Sequence, residues 1–162
     1  MRHWIPALAL GGALLSAVPA AAQLAAEVRL DAGIPVEETG EIYEAGVGFG
    51  LRGSLDIAPT FAVYGGYSQF NLEVDDDLLP DGELEISGWE LGGRVGVGHG
   101  GGSANPYVLL GALFYNEDTG VEAGVGADYG VSWNVAVTPE VRYRKVGNLT
   151  YLTLGMGARF RF

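Results

Sequence analysis

The residues able to do chemistry are almost all carboxylates and guanidiniums. Arg29, Glu90, Arg94, Asp128, Glu140, Arg142 and Arg159 are scattered through apolar stretches of the chain rather than gathered in polar runs. Charges that end up buried persist when they are paired, so these seven are expected to form an ion-pair network. Such a network can fill and rigidify an interior, or it can act as a gate whose rearrangement opens a narrow path for small solutes. Nucleophilic catalysis has little to work with. The chain has no cysteine, and after its first residues it has one histidine, His99, near Ser103 in "GHGGGS"; a glycine-rich turn is a poor place to hold a general base. The run "DDDLLPDGE" at 75–83 offers clustered oxygens for Ca²⁺. It does not fit the helical calcium loop: counted from Asp77, Asp81 and Gly82 fall at positions five and six, but Leu79 and Gly88 occupy two ligand positions. It reads as a solvated loop. The glycine motif from Gly96 to Gly101 opens no helix, as phosphate binding through that pattern requires, and no metal or cofactor is assigned.

The elements that must position these charges follow from periodicity. Strand-like segments fall at 24–33, 43–53, 61–71, 86–97, 107–116, 122–134, 140–146 and 151–162, and none shows a sustained helical period. In the closing "LTLGMGARFRF", Leu152, Leu154, Met156, Ala158, Phe160 and Phe162 alternate with Thr153, Gly155, Gly157, Arg159 and Arg161. The segments beginning near 43, 86 and 122 behave the same way, with Arg52, Glu90, Arg94, Glu122 and Asp128 on the parity of the glycines. Glycine within a strand costs about 0.5–1 kcal/mol relative to alanine. A water-facing surface gives no return for repeating that cost, whereas a narrow eight-stranded interior needs gaps beside its long side chains. The glycine and charged face is therefore the inside, and the apolar face turns to lipid. Aromatics near strand ends (Tyr43, Phe61, Trp89, Tyr107, Tyr115, Trp133 and Tyr151) suit interfacial girdles. The segments "FAVYGGYSQF" and "YVLLGALFY" are apolar on both faces, and their facing stays open.

Composition narrows the class further. Arg2, an apolar run from Trp4 to Val18 and Ala20-Ala21-Ala22 before Gln23 read as a cleavable secretory signal over 1–22, leaving one domain over 23–162. No later segment has the ~20 apolar residues a spanning helix needs. The net charge of -11 argues against a nucleic-acid partner. Most carboxylates sit in "IPVEETGEI", "EVDDDLLPDGELE" and "NEDTGVE", while the intervening connections "LDIAPT", "HGGGSAN" and "AVTP" are plain turns. Acidic charge is thereby collected on one rim. A secreted soluble barrel of lipocalin type would need the two faces reversed.

These features resemble the small outer-membrane barrels of Gram-negative bacteria, the class of the OmpA transmembrane domain, OmpX and the opacity proteins, over the whole of 23–162. "PYVLLGALFY", "GVGADYGVSWNVAVTPEVRYR" and the closing segment carry the likeness. The resemblance implies an all-β, eight-stranded antiparallel transmembrane barrel in an outer membrane; the chain is read as a monomer and, lacking a well-held nucleophile and base, not as an enzyme. It implies that Gly157, Phe160 and Phe162 are read by the outer-membrane assembly machinery, although the polar position of that signature falls on Gly155. It also implies short periplasmic turns and external acidic loops that could meet cations, lipopolysaccharide or another surface ligand such as a host or phage partner. A narrow porin-like channel gated by the lumen network is the alternative.

Overall fold

In a computed structural model that describes residues 23–36, 43–73, 83–97, 104–115 and 118–162, the chain forms a closed antiparallel barrel of eight strands. They are β1 (Gln23–Pro35), β2 (Gly46–Ala58), β3 (Phe61–Glu73), β4 (Glu83–Gly96), β5 (Ala104–Tyr115), β6 (Asp118–Gly130), β7 (Val135–Val146) and β8 (Leu149–Arg161). Each pairs with its successor, and β8 closes on β1 from Ala25↔Arg161 to Pro35↔Tyr151. Strands of 12–14 residues, at ~3.3 Å per residue and tilted by roughly 40°, rise about 30 Å, the depth of a bilayer's hydrocarbon core.

The strands are longer than the sequence pattern suggested and the connections shorter. "LDIAPT" shrinks to the turn Pro59–Thr60, after a register shift between Asp56 and Ala58. "AVTP" lies inside β7, and the turn before it is 131–134, so Trp133 belongs to a connection. Pro139 hides this strand from a sequence reading because proline usually marks a turn. Here its missing N–H coincides with a local gap in the β6–β7 ladder, between Gly126↔Glu140 and Tyr129↔Val137. At the opposite end, β7 and β8 join through two residues, and Gly147 takes φ +55°, a left-handed conformation that glycine adopts freely.

Burial follows strand parity. Outward faces carry exposed Val28, Leu30, Leu51, Leu91, Leu110 and Met156, and inward faces carry the charges. The two open strands now have a facing: Tyr64, Ser68, Phe70 and Leu72 of β3, and Tyr107, Leu109, Leu113 and Tyr115 of β5, point inward. This corrects the girdle assignment. Phe61, Trp89 and Trp133 are exposed, but Tyr107, Tyr115 and Tyr151 are buried in the lumen, and Tyr43 packs on a lumenal cluster of Phe70, Leu72, Ile86 and Tyr151. Tyr107 and Tyr115 have partners for their hydroxyls there, which a strand-end position in sequence does not reveal.

Long inward side chains face glycines across the ladder. Arg29 sits opposite Gly50 and Gly157, Asp31 opposite Gly48 and Gly155, and Glu140 opposite Gly126 and Gly155. A Cβ at Gly66 would come 2.5 Å from the Leu51 carbonyl and 3.2 Å from Glu90 Oε1, whereas at its outward neighbour Gly65 nothing lies nearer than 3.7 Å. Gly66→Ala is therefore expected to lower stability by about 1–3 kcal/mol and Gly65→Ala to keep it or raise it by up to about 1 kcal/mol, measured by urea unfolding of the refolded barrel in lipid vesicles.

Candidate functional site

Among the described residues seven guanidiniums and seven carboxylates lie in the lumen, in two groups stacked along the barrel. The upper group joins Arg29, Arg52, Arg142 and Arg144 to Glu27, Asp31, Glu90, Glu122 and Glu140. Arg29 reaches Glu140 at 3.0 Å and Asp31 at 3.1 Å and also contacts Glu27. Arg52 bridges Glu90 and Glu140, both at 2.9 Å. Arg142 takes Asp31 at 2.9 Å and Glu90, Glu122 and Glu140 at 3.4 Å. Arg144 takes Glu90 at 2.6 Å and Glu122 at 2.9 Å.

Tyrosines complete this layer. Tyr64 donates to Glu122 and Tyr107 to Glu140, each at 2.6 Å, while Arg144 donates to the Tyr115 hydroxyl at 2.7 Å. Arg52 also lies over the Tyr64 ring, 4.4 Å from its centroid. The strand register makes this arrangement local and repeatable. Glu90 and Arg52 both oppose Gly66 on β3, and Glu122 lies between Gly111 and Arg144 on its two neighbours.

The lower group lies toward the end that carries both Gln23 and Phe162. Asp128 accepts Arg159 at 2.9 Å and Arg94 and Arg161 at 3.1 Å, and Asp56 accepts Arg159 at 2.6 Å. Among the described residues no ion pair links the two groups. Below this layer a vestibule of about 1030 Å³ opens toward the turns, lined by Asp56, Arg94, Asn105, Tyr107 and Arg161 among others. Above the upper group the lumen changes character and is filled by two apolar clusters, Phe70, Leu72, Ile86 and Tyr151 and, beside them, Leu113, Tyr115 and Val146. From one end to the other the inside runs from open vestibule through paired charge to apolar plug.

The seven charges picked from sequence divide between the groups. Arg29, Glu90, Glu140 and Arg142 are in the upper one, and Arg94, Asp128 and Arg159 in the lower. The network also takes in Glu27, Asp31, Asp56 and Arg144, beyond the seven expected, and Arg52, Glu122 and Arg161 from the charged faces. Strand parity was the signal that could have found most of them: Arg144 follows Glu140 and Arg142 at the same period, and Glu27 and Asp31 flank Arg29. Gly157 faces the lumen near Glu27 and Thr138. Phe160 and Phe162 face outward, and the Phe162 N–H donates to the Leu24 carbonyl at 2.9 Å. His99, Ser103 and the 75–82 stretch lie outside the described residues. Among those described, no group of His, Cys, Asp or Glu is arranged to hold a metal ion.

Removing one partner from a buried ion pair leaves an uncompensated charge and typically costs about 3–5 kcal/mol. Glu90→Gln, which strips one charge from the partners of Arg52, Arg142 and Arg144, is expected to destabilise the folded barrel by that order in the same urea titration. Glu44→Gln, at an exposed position, is expected to leave the midpoint where it was.

Residues 6–162 match the model of the outer membrane protein beta-barrel domain family. No curated protein matches. Among solved structures, Neisserial surface protein A is similar at 14% identity and TM-score 0.63, over 87% of this chain and 97% of that one. OprG from Pseudomonas aeruginosa is similar at 13% identity and TM-score 0.60, over 88% and 96%. Ail of Yersinia pestis, crystallised with the heparin analogue sucrose octasulfate, is similar at 16% identity and TM-score 0.55, over 87% and 97%.

Proposed function

The chain belongs to the outer membrane protein β-barrel domain family, and on that premise we propose that it is a closed, non-enzymatic barrel that acts through its outward-facing acidic rim and not through its lumen. It resides in the outer membrane, with its apolar outer face in lipid. The observation that carries the reading is the occupied interior. Four arginines, five carboxylates and three tyrosines cross-link the upper lumen, with apolar side chains stacked above them. A permeating ion would have to separate several charge pairs in a low-dielectric layer, each break leaving charge unpaired.

Charge distribution supports the second half of the reading. Of nine Lys and Arg residues, seven are in the lumen, and Arg2 falls in the segment we read as a cleaved signal over 1–22. Lys145 alone stands apart from both. The seven lumenal carboxylates leave thirteen of the 20 acids, all in or beside the three connections β1–β2, β3–β4 and β5–β6, which begin and end at the same end of the barrel. The lumen is thus charge-balanced and the net negative charge belongs to that rim, which faces outward if the turns face the periplasm.

A surface of this sign selects cationic partners, such as divalent ions bridging to lipopolysaccharide or a basic region of a host or phage protein. Ail has been crystallised with a polyanion; the acidic rim here favours the opposite charge. Closure of β8 on β1 leaves no free strand edge for another subunit, consistent with a monomer. Gly157, Phe160 and Phe162 remain the proposed handle for the assembly machinery.

Two measurements test the reading. The refolded 23–162 chain, shown to be folded by a heat-shifted gel band, is expected to give no discrete conductance steps in a planar bilayer. Reproducible steps would instead make a narrow channel gated by Arg94 or Arg142 the better account. Polylysine is expected to bind the folded barrel and to be released on raising salt from 0.05 to about 0.5 M, while heparin shows no binding; the reverse order would reject a cation-selecting rim.

A further inference from the structure

We propose that the vestibule at the terminal end is a binding site for an anionic group, a carboxylate or a phosphate, entering from the periplasm. The two charge groups in the lumen are each unbalanced, and in opposite senses. The upper has four guanidiniums to five carboxylates and lies under the apolar clusters of Phe70, Leu72, Ile86 and Tyr151 and of Leu113, Tyr115 and Val146. The lower has three guanidiniums, Arg94, Arg159 and Arg161, to two carboxylates, Asp56 and Asp128, and borders the cavity. Among the described side chains one positive charge is therefore left over where the cavity is.

That surplus is accessible. Arg159 is fully buried, but the Arg161 side chain is 28% exposed and Arg94 keeps 11%. Among the described residues the ion pair of Arg161 runs from Nη2 to Asp128 at 3.1 Å, and the rest of its guanidinium borders the cavity. Arg94 is held 4.8 Å from the Tyr107 ring centroid, which fixes its plane at the cavity wall. Asp128 already receives three arginines and cannot neutralise a further charge. Asp56, with a side chain 24% exposed, is the acid that a second anion would meet.

Planar guanidiniums of this kind suit the oxygens of a carboxylate or phosphate, and the vestibule beside them, about 1030 Å³, has room for the remainder of a small molecule. The site does not depend on what the acidic rim binds, since the two lie at opposite ends of the barrel.

The test uses the refolded 23–162 chain in an uncharged maltoside detergent, with arginine Nε–H resonances followed by NMR. Inorganic phosphate, acetate and dihexanoyl phosphatidylglycerol are titrated separately. A saturable shift at Arg94 and Arg161, with Arg29 and Arg142 unmoved, is the expected result. Response to phosphate or acetate identifies a soluble anion, and response to the lipid alone identifies a headgroup; either supports the site. Arg161→Gln is expected to weaken binding about tenfold and Asp56→Asn to strengthen it several-fold. Should Arg161→Gln fail the gel-shift check for folding, Asp56→Asn carries the comparison. Shifts that do not saturate with any of the three, or an affinity that Asp56→Asn leaves unchanged, overturn the proposal.

Discussion

Everything else in this barrel depends on the mutual neutralisation of charges in a space too narrow to hydrate them freely. Each ion brought into such an interior costs several kcal/mol unless its partner is in place. The lumen meets that requirement through multiplicity. Glu90 touches three guanidiniums and Arg142 four carboxylates, so no member of the upper group relies on one contact. Long side chains need width, and the width comes from glycine: Arg29, Asp31 and Glu140 all face glycines on both neighbouring strands. The tyrosines of β3 and β5 bring hydroxyls to carboxylates from the otherwise apolar side of the wall. Composition, register and hydrogen bonding are consequences of one electrostatic condition.

The same condition sorts charge along the molecule. Because the lumen takes nearly every arginine and an equal number of acids, the surplus carboxylates are left on the connecting segments at one end. Interior and rim are consequently different materials, one neutral and cross-linked, the other anionic. Across this family, and in the outer-membrane barrels it resembles at 13–16% identity, the shared scaffold leaves the role to be set by such local chemistry.

Much of this was legible in the sequence because a strand's period of two couples every residue to a face. Once the glycines were seen to share parity with Arg52, Glu90, Arg94 and Asp128, the inside was determined, and eight segments with alternating connections gave the barrel. Three features resisted. Pro139 looked like a turn, yet it sits where the β6–β7 ladder is interrupted. Tyr107, Tyr115 and Tyr151 looked like interfacial anchors, since nothing in a strand that is apolar on both faces says which way a tyrosine points. Division of the charges into two groups, and the vestibule below them, depend on stagger between strands, which no single strand's pattern encodes.

The chain's lack of cysteine permits the most direct test of the sealed, charge-paired layer. Single cysteines at Ser68, beside Arg144 and Tyr115 in the upper lumen, and at Asn105, in the vestibule, would be exposed in folded barrels to a charged, membrane-impermeant thiol reagent. Rapid labelling at 105 with protection at 68 from either side, lost on unfolding in urea, is the expected result. Comparable labelling of both positions in the folded protein would mean that water and ions reach the middle of the lumen, and that it is not sealed.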